Sequence, residues 1–336
     1  MTNPAIKVFI TALAILLMAG PAPARVLKIA TLAPEGAFEV KEIRKAGQEI
    51  ATKTNGRLKL KIYPGGVMGN DQAVVRKIRF NQLQGGMVAA SSLASLNRDG
   101  QVYSLPFIFR SFAELDYVRP RMDPFIIKGY ERAGFKIFGL AEGGFARVLS
   151  KTPVTSVKDL QHRKVWAPAN DASAITALQA YGIQPIPLPV ADVRAGLQTS
   201  LIDTVAIPPA YAIILQWHTQ VQYITDLPLL YTYGMLALDN KAFNKLTPGD
   251  RQVVSSVITE TFKRIDRHNR QLNVDARKAL EDNGITFITP KAEDIAIWQE
   301  KTTKVTASLL KQGKLSQEAL DTITSLLAEF RNKGTR

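Results

Sequence analysis

Histidine is the side chain best suited to moving protons near neutral pH, and this sequence has three, His162, His218 and His268, far apart and among polar neighbours. That distribution fits surface residues better than a catalytic pair. No G-x-S-x-G nucleophile elbow, H-E-x-x-H metal site, phosphate-cradling G-x-x-x-x-G-K or strand-following G-x-G-x-x-G is present. With no cysteine there is no thiolate nucleophile, disulfide or Cys-bound metal. The chemistry on offer is recognition rather than bond-making. Its candidates are Glu35 and Phe38, Ser91 and Ser92, and Asn170, which follow strand signals, with Tyr211 and Tyr231 as aromatic walls. No cofactor motif accompanies them, although carboxylate and carbonyl oxygens can hold a hard cation without one. A secreted hydrolase with an unrecognised site stays open as the alternative of another class.

Those residues need strands and helices to position them. Residues 26–30 form a short apolar strand, and after a loop with Pro34 and Gly36 the residues Ile43, Ala46 and Ile50 share one face of an amphipathic helix. Asn55-Gly56 marks a turn into residues 57–63, where Leu58, Leu60 and Ile62 alternate with Lys59 and Lys61 as in a half-buried strand. A helix over about 71–84 and buried strands at 86–91 and 135–141 complete a first doubly wound α/β lobe. A second series follows, with strands at 164–167 and 204–207 and helices at 172–181 and 191–199. Beyond an apolar stretch at 231–238, Thr247 is placed to cap a helix, with Pro248 in its first position and Asp250 at the positive end of its dipole. Val254, Val257, Ile258, Thr261, Phe262 and Ile265 give that helix an apolar stripe, and if it runs past Leu272 towards Leu280 it bridges both lobes.

The hydrophobic content of 46% suits ordinary globular packing, and the length suits two domains. The expected division is 25–145 with 238–275 in one lobe and 146–237 with 276–336 in the other, the chain crossing more than once because no linker composition occurs. A formal net charge of +14 raises the question of nucleic acid, but the basic residues are scattered among acids, as in Lys263, Arg264, Asp266 and Arg267. A cationic surface is expected, with no nucleic-acid partner. At the N-terminus, Lys7 precedes an apolar run at 8–19, and Ala22-Pro23-Ala24 fits the small-residue cleavage pattern. The run falls well short of the roughly 20 residues that span a bilayer. Residues 1–24 are therefore read as a secretory leader cleaved near Ala24.

At Leu105-Pro106-Phe107-Ile108-Phe109-Arg110 and Ser111-Phe112-Ala113-Glu114 the chain resembles the solute-binding subunits of TRAP transporters, the DctP-like family. Family-like elements recur in order: Tyr63-Pro64-Gly65-Gly66 with Met68-Gly69, Glu142-Gly143-Gly144-Phe145, Pro153 with Lys158-Asp159-Leu160, and Pro185-Ile186-Pro187-Leu188-Pro189 leading to Ala195-Gly196-Leu197-Gln198-Thr199 and Asp203. The resemblance implies a two-lobed periplasmic-binding-protein-like α/β fold, with an interlobe cleft that closes on a small organic ligand and a long bridging helix. It implies no reaction, and as partner an integral membrane TRAP permease driven by an ion gradient.

The resemblance also carries expectations for individual residues. A typical ligand of the family is a carboxylate, held by an arginine two residues before the proline of a second-lobe strand; here that place is Trp166 in Val165-Trp166-Ala167-Pro168. Many relatives place a ligand-reaching amide after the position of Asp203, where this chain has Thr204-Val205-Ala206-Ile207-Pro208 and Ile207 takes the amide's place. Two polar contacts exchanged for apolar groups imply an organic acid more apolar or aromatic than the family norm. Arg147, just past Gly143-Gly144-Phe145, is the remaining carboxylate partner, which gives the alternative of an ordinary carboxylate receptor clamped by Arg147.

Overall fold

The computed structural model describes residues 24–169 and 171–333, so residues 1–23 of the expected leader and Asn170 lie outside the described residues. Strand β1 (Arg25–Thr31) leads into helix α1 (Phe38–Lys53), which buries Val40, Ile43, Ala46 and Ile50 on the face that helical spacing predicts. Asn55 and Gly56 both take positive φ and turn the chain into β2 (Leu58–Tyr63), parallel to β1. Helix α2 (Asp71–Arg79), capped by Asn70, precedes β3 (Gly85–Ala89), which lies along the other edge of β1. This helix stops before the expected position 84, because Asn81 adopts a left-handed conformation and Gln84 pairs its backbone with Lys28.

Helix α3 (Phe112–Arg132) packs on β4 (Phe135–Ser150), a strand of 16 residues that runs far past the expected position 141. Then come α4 (Val157–Gln161), β5 (Trp166–Pro168), α5 (Ala172–Ala180), β6 (Ile186–Leu188), α6 (Val193–Gln198), β7 (Thr204–Ile207), α7 (Pro209–Ile214) and β8 (Tyr223–Thr225). The chain ends with β9 (Leu230–Asp239), α8 (Asn240–Asn244), α9 (Pro248–Asp282), β10 (Thr286–Ile288), α10 (Ala292–Lys311) and α11 (Gln317–Lys333).

The main sheet has the order β10-β8-β4-β9-β3-β1-β2, with β7 also on β4 and β5–β6 as a separate parallel pair. Its first lobe is built on β2, β1, β3, β9 and the start of β4; its second uses the last residues of β4, Arg147–Ser150, which pair with β7 and partly with β8. The positions 145/146, 237/238 and 275/276 lie inside β4, β9 and α9.

Helix α9 begins as its signals require, with Thr247 accepting the Asp250 N–H and Pro248 in the first position, and it runs for 35 residues, about 52 Å at 1.5 Å per residue. Its stripe packs Val254, Val257, Ile258, Phe262 and Ile265 into the first lobe's core, while Leu280 joins the core of the second. Between these points α9 grips β4. Asp266 accepts the Glu142 N–H at 2.7 Å, Asn269 donates to the Glu142 carbonyl at 2.8 Å and Asn273 to the Gly143 carbonyl at 3.0 Å. Gly144, at φ 106°, has no room for a side chain, since a Cβ there would run into Asn273. Helix α11 packs on α3, with Arg331 paired to Glu114 at 2.7 Å. The last helix therefore lies against an element of residues 25–145.

Candidate ligand-binding site

A cavity of about 440 Å³ opens between the lobes, a size that suits a small organic ligand. The first lobe contributes the ends of β1 and β3, where Thr31, Leu32, Ala89, Ser91 and Ser92 line it, with Glu39 from α1 and Asp71 from α2. The second lobe contributes Trp166 and Pro168 from β5, Ile207 and Pro208 at the end of β7, Tyr211 from α7, and Trp217. Strand carboxyl ends thus surround the cavity, because the loops that leave a parallel strand at that end are free of sheet packing. Apolar and aromatic groups dominate its surface. Among the described residues of the wall the charged side chains are Glu39, Asp71 and Asp171, and none is Arg, Lys or His.

Trp166 is 7% exposed and stands edge to face with Trp217, their ring centroids 5.2 Å apart. Its indole N–H donates to the Leu188 carbonyl at 2.9 Å, so the donor that the sequence alone leaves free for a ligand is committed to β6. What Trp166 offers the cavity is ring surface. Tyr211 is half-buried, and desolvation holds its hydroxyl well above the ordinary tyrosine range, in its neutral form. Two more donors in the wall, Gln101 Nε2 and Trp298 Nε1, are buried with no partner among the described residues. An unpaired buried N–H is costly.

Of the residues singled out from the sequence, the structure brings Trp166, Ile207, Ser91, Ser92 and Tyr211 into one wall, and it leaves Arg147, Glu35, Phe38 and Tyr231 outside it. Glu35 is exposed and pairs with Arg44 at 2.8 Å. Phe38 stacks on His268 at 3.7 Å between ring centroids, which fixes α1 against α9. Tyr231 is fully buried among Tyr103, Phe109 and Phe145. Arg147 gives its Nε to Asp226 at 3.2 Å in a small recess with Phe112, Asn273, Arg277 and Phe287, and Arg277 holds the same carboxylate at 2.6 Å. Its charge is neutralised there rather than presented to the cavity. Trp217, Asp71 and Glu39 line the cavity as well. Asp71 was legible as the start of a helix, but which loops close around that start is set by tertiary packing.

Burial alone would raise the Asp226 carboxyl, yet the Arg277 hydrogen bond and the charges of Arg147 and Arg277 outweigh it and hold the group below its ordinary value. A depressed carboxyl stabilises the fold at pH values above its unfolded pKa, and that contribution disappears as pH falls through the folded pKa. Asp226→Asn is therefore expected to lower stability at neutral pH, with the difference from wild type closing as urea midpoints are followed down to about pH 2. A difference that stayed constant with pH would show that the Arg147–Asp226–Arg277 group contributes packing only.

Residues 29–312 match the family model for bacterial extracellular solute-binding proteins, family 7, the DctP family. The chain belongs to that family. It is 28% identical over 258 residues to the 2,3-diketo-L-gulonate-binding periplasmic protein of Escherichia coli, covering 74% of this chain and 77% of that protein. It is 24% identical over 288 residues to an ectoine/5-hydroxyectoine-binding periplasmic protein of Ruegeria pomeroyi, covering 78% and 82%. The fold matches that of the sugar acid binding protein DctPAm of Advenella mimigardefordensis, solved with galactonate, at a TM-score of 0.83 and 18% identity over 91% of this chain and 98% of that one. The DctP family member described here is thus an extracellular solute-binding protein with the two-lobed α/β fold, and the relatives just named are solute-binding proteins. No helix among the described residues is long and apolar enough to cross a membrane.

Proposed function

We propose that this protein is the periplasmic receptor of a TRAP transporter for a predominantly apolar or aromatic small organic molecule. It binds that molecule between its lobes without an arginine clamp and hands it to an integral membrane permease. The observation that carries this reading is the cavity wall: Trp166, Trp217, Tyr211 and Ile207 face a space into which no described basic side chain projects. A ligand carboxylate buried there would lack its counter-charge, at a cost of roughly 2–5 kcal/mol. The relatives' sugar acids are polyhydroxylated anions, and the described wall has neither the cations nor the polar density to replace their hydration. What speaks against the Arg147-clamped alternative is that Arg147 pairs with Asp226 and is not among the residues that line the cavity. An N-terminal leader over 1–24 belongs to the same reading, because it would deliver the receptor to the periplasm.

A thermal-shift screen tests it. Hydrophobic aromatic compounds are expected to raise the melting temperature in proportion to the logarithm of their concentration, while galactonate and 2,3-diketogulonate leave it unchanged. The stabilising compounds should also make the protein more compact in solution scattering, because closing the lobes buries the ligand. Stabilisation by the sugar acids alone would overturn the proposal.

A further inference from the structure

We infer that the Asp71 carboxylate is a cation-recognition point in this cavity, so that the ligand joins an apolar body to a protonated amine. The inference rests on the receptor reading above and names the polar end of its ligand. Asp71 opens α2 beside the cavity, in the wall shared with Ala89, Ser91 and Ser92. The Ala89 N–H at 3.0 Å and the Ser92 hydroxyl at 3.1 Å both donate to its Oδ2. Oδ1 has no hydrogen-bond or ion-pair partner among the described residues, while Oδ2 accepts both of these bonds. Burial raises the Asp71 carboxyl above its ordinary value, as is expected of an acid with no cation beside it.

The other two acids of the wall sharpen the point. Asp171 is occupied, its Oδ1 capping α5 through the N–H groups of Ser173 and Ala174. Glu39 is half-buried and makes no hydrogen bond or ion pair with the described residues. The ionisable acids of the described wall thus have no basic side chain beside them in it, which disfavours a ligand carboxylate and leaves an ammonium as the ligand group that completes the site. An oriented acceptor beside a largely apolar surface favours a cation more than the same carboxylate in bulk water would, because competing hydration is reduced. Arginine clamps achieve this for anions; here the sign is reversed.

Three matched probes decide it by calorimetric titration of the full-length mature protein: 4-phenylbutylamine, 4-phenylbutanol and 4-phenylbutyrate. The amine is expected to bind roughly tenfold or more tightly than the alcohol, as a charge-assisted hydrogen bond requires, and the acid most weakly. Asp71→Asn keeps an acceptor for Ala89 and Ser92, and should reduce the amine to the affinity of the alcohol while leaving the alcohol within about threefold. Glu39→Gln should leave the preference for the amine in place. Equal binding of amine and alcohol by the wild type would overturn the Asp71 assignment alone, as would a preference lost in Glu39→Gln but kept in Asp71→Asn. Tightest binding of the acid, or no binding of any probe, would overturn the apolar-receptor reading itself. Because the wild-type series needs no variant, a poorly folding Asp71→Asn leaves the test intact.

Discussion

Arg119→Met is expected to destabilise the protein by about 3–5 kcal/mol, seen as a large drop in its urea midpoint. The Arg119 guanidinium is 12% exposed and reaches Asp266 at 3.0 Å, Asp123 at 3.3 Å and the Leu140 carbonyl at 2.7 Å. Burial by itself would weaken its basicity, but Tyr231, Asp123 and Asp266 outweigh that and hold it above its ordinary range. Removing it strands two carboxylates and a backbone carbonyl in a largely dry region, and an uncompensated buried charge is far costlier than the pair is beneficial. Asp266 also accepts the Glu142 N–H, so the same loss loosens β4 where its pairing with β9 is irregular, between Ile137 and Leu140 and again between Glu142 and Gly144. Asp266→Asn in the Arg119→Met background should recover part of the stability by removing one stranded charge. A loss below about 1 kcal/mol would mean that water replaces Arg119 and that the network does not hold the crossing.

Trp166→Ala is expected to weaken the binding of an aromatic ligand by about 2 kcal/mol or more, roughly 30-fold, with little change for ligands that do not reach the second lobe. The indole forms part of the cavity wall while its N–H is tied to Leu188, so truncation removes apolar contact and leaves a ligand-sized void without breaking a ligand hydrogen bond. Trp166→Arg should convert the preference towards small, strongly anionic acids, because it restores a cation where the DctP family resemblance expects one. Arg147→Ala is the control. Paired with Asp226 outside the cavity, Arg147 should alter stability without altering ligand affinity. Loss of binding in Arg147→Ala with retention in Trp166→Ala would return the ligand to an ordinary carboxylate held by a different arginine.

The Asp71 assignment and the Trp166 prediction describe two ends of one ligand. If both hold, selection is made by an aromatic surface in the second lobe and a fixed carboxylate in the first, so full recognition requires both lobes together. That couples specificity to closure through simple linkage: a ligand that touches only one lobe has no differential affinity for the closed state and cannot shift the population towards it.

Local rules were enough for much of the framework. The stripe of α1, the Asn55-Gly56 turn, the alternation of β2 and the cap at Thr247 each depend on neighbours within a few residues, and each was legible because helix and strand periods leave that imprint on a sequence. The ordered family-like segments carried the fold class, and the absence of catalytic motifs pointed to recognition rather than reaction. Trp166 and Ile207 stood out because they occupy places where polar groups were expected. Tertiary structure decided what those residues face. Nothing within a few residues of Arg147 reveals that Asp226, 79 positions away, captures it, or that the Trp166 N–H is taken by Leu188. Nor does the sequence around Asp71 show that two donors fix one carboxylate oxygen and leave the other unpaired at the cavity wall. Periodicity encodes which side of an element is buried, whereas the sign of a cavity's charge is a sum over side chains that meet only when the two lobes assemble.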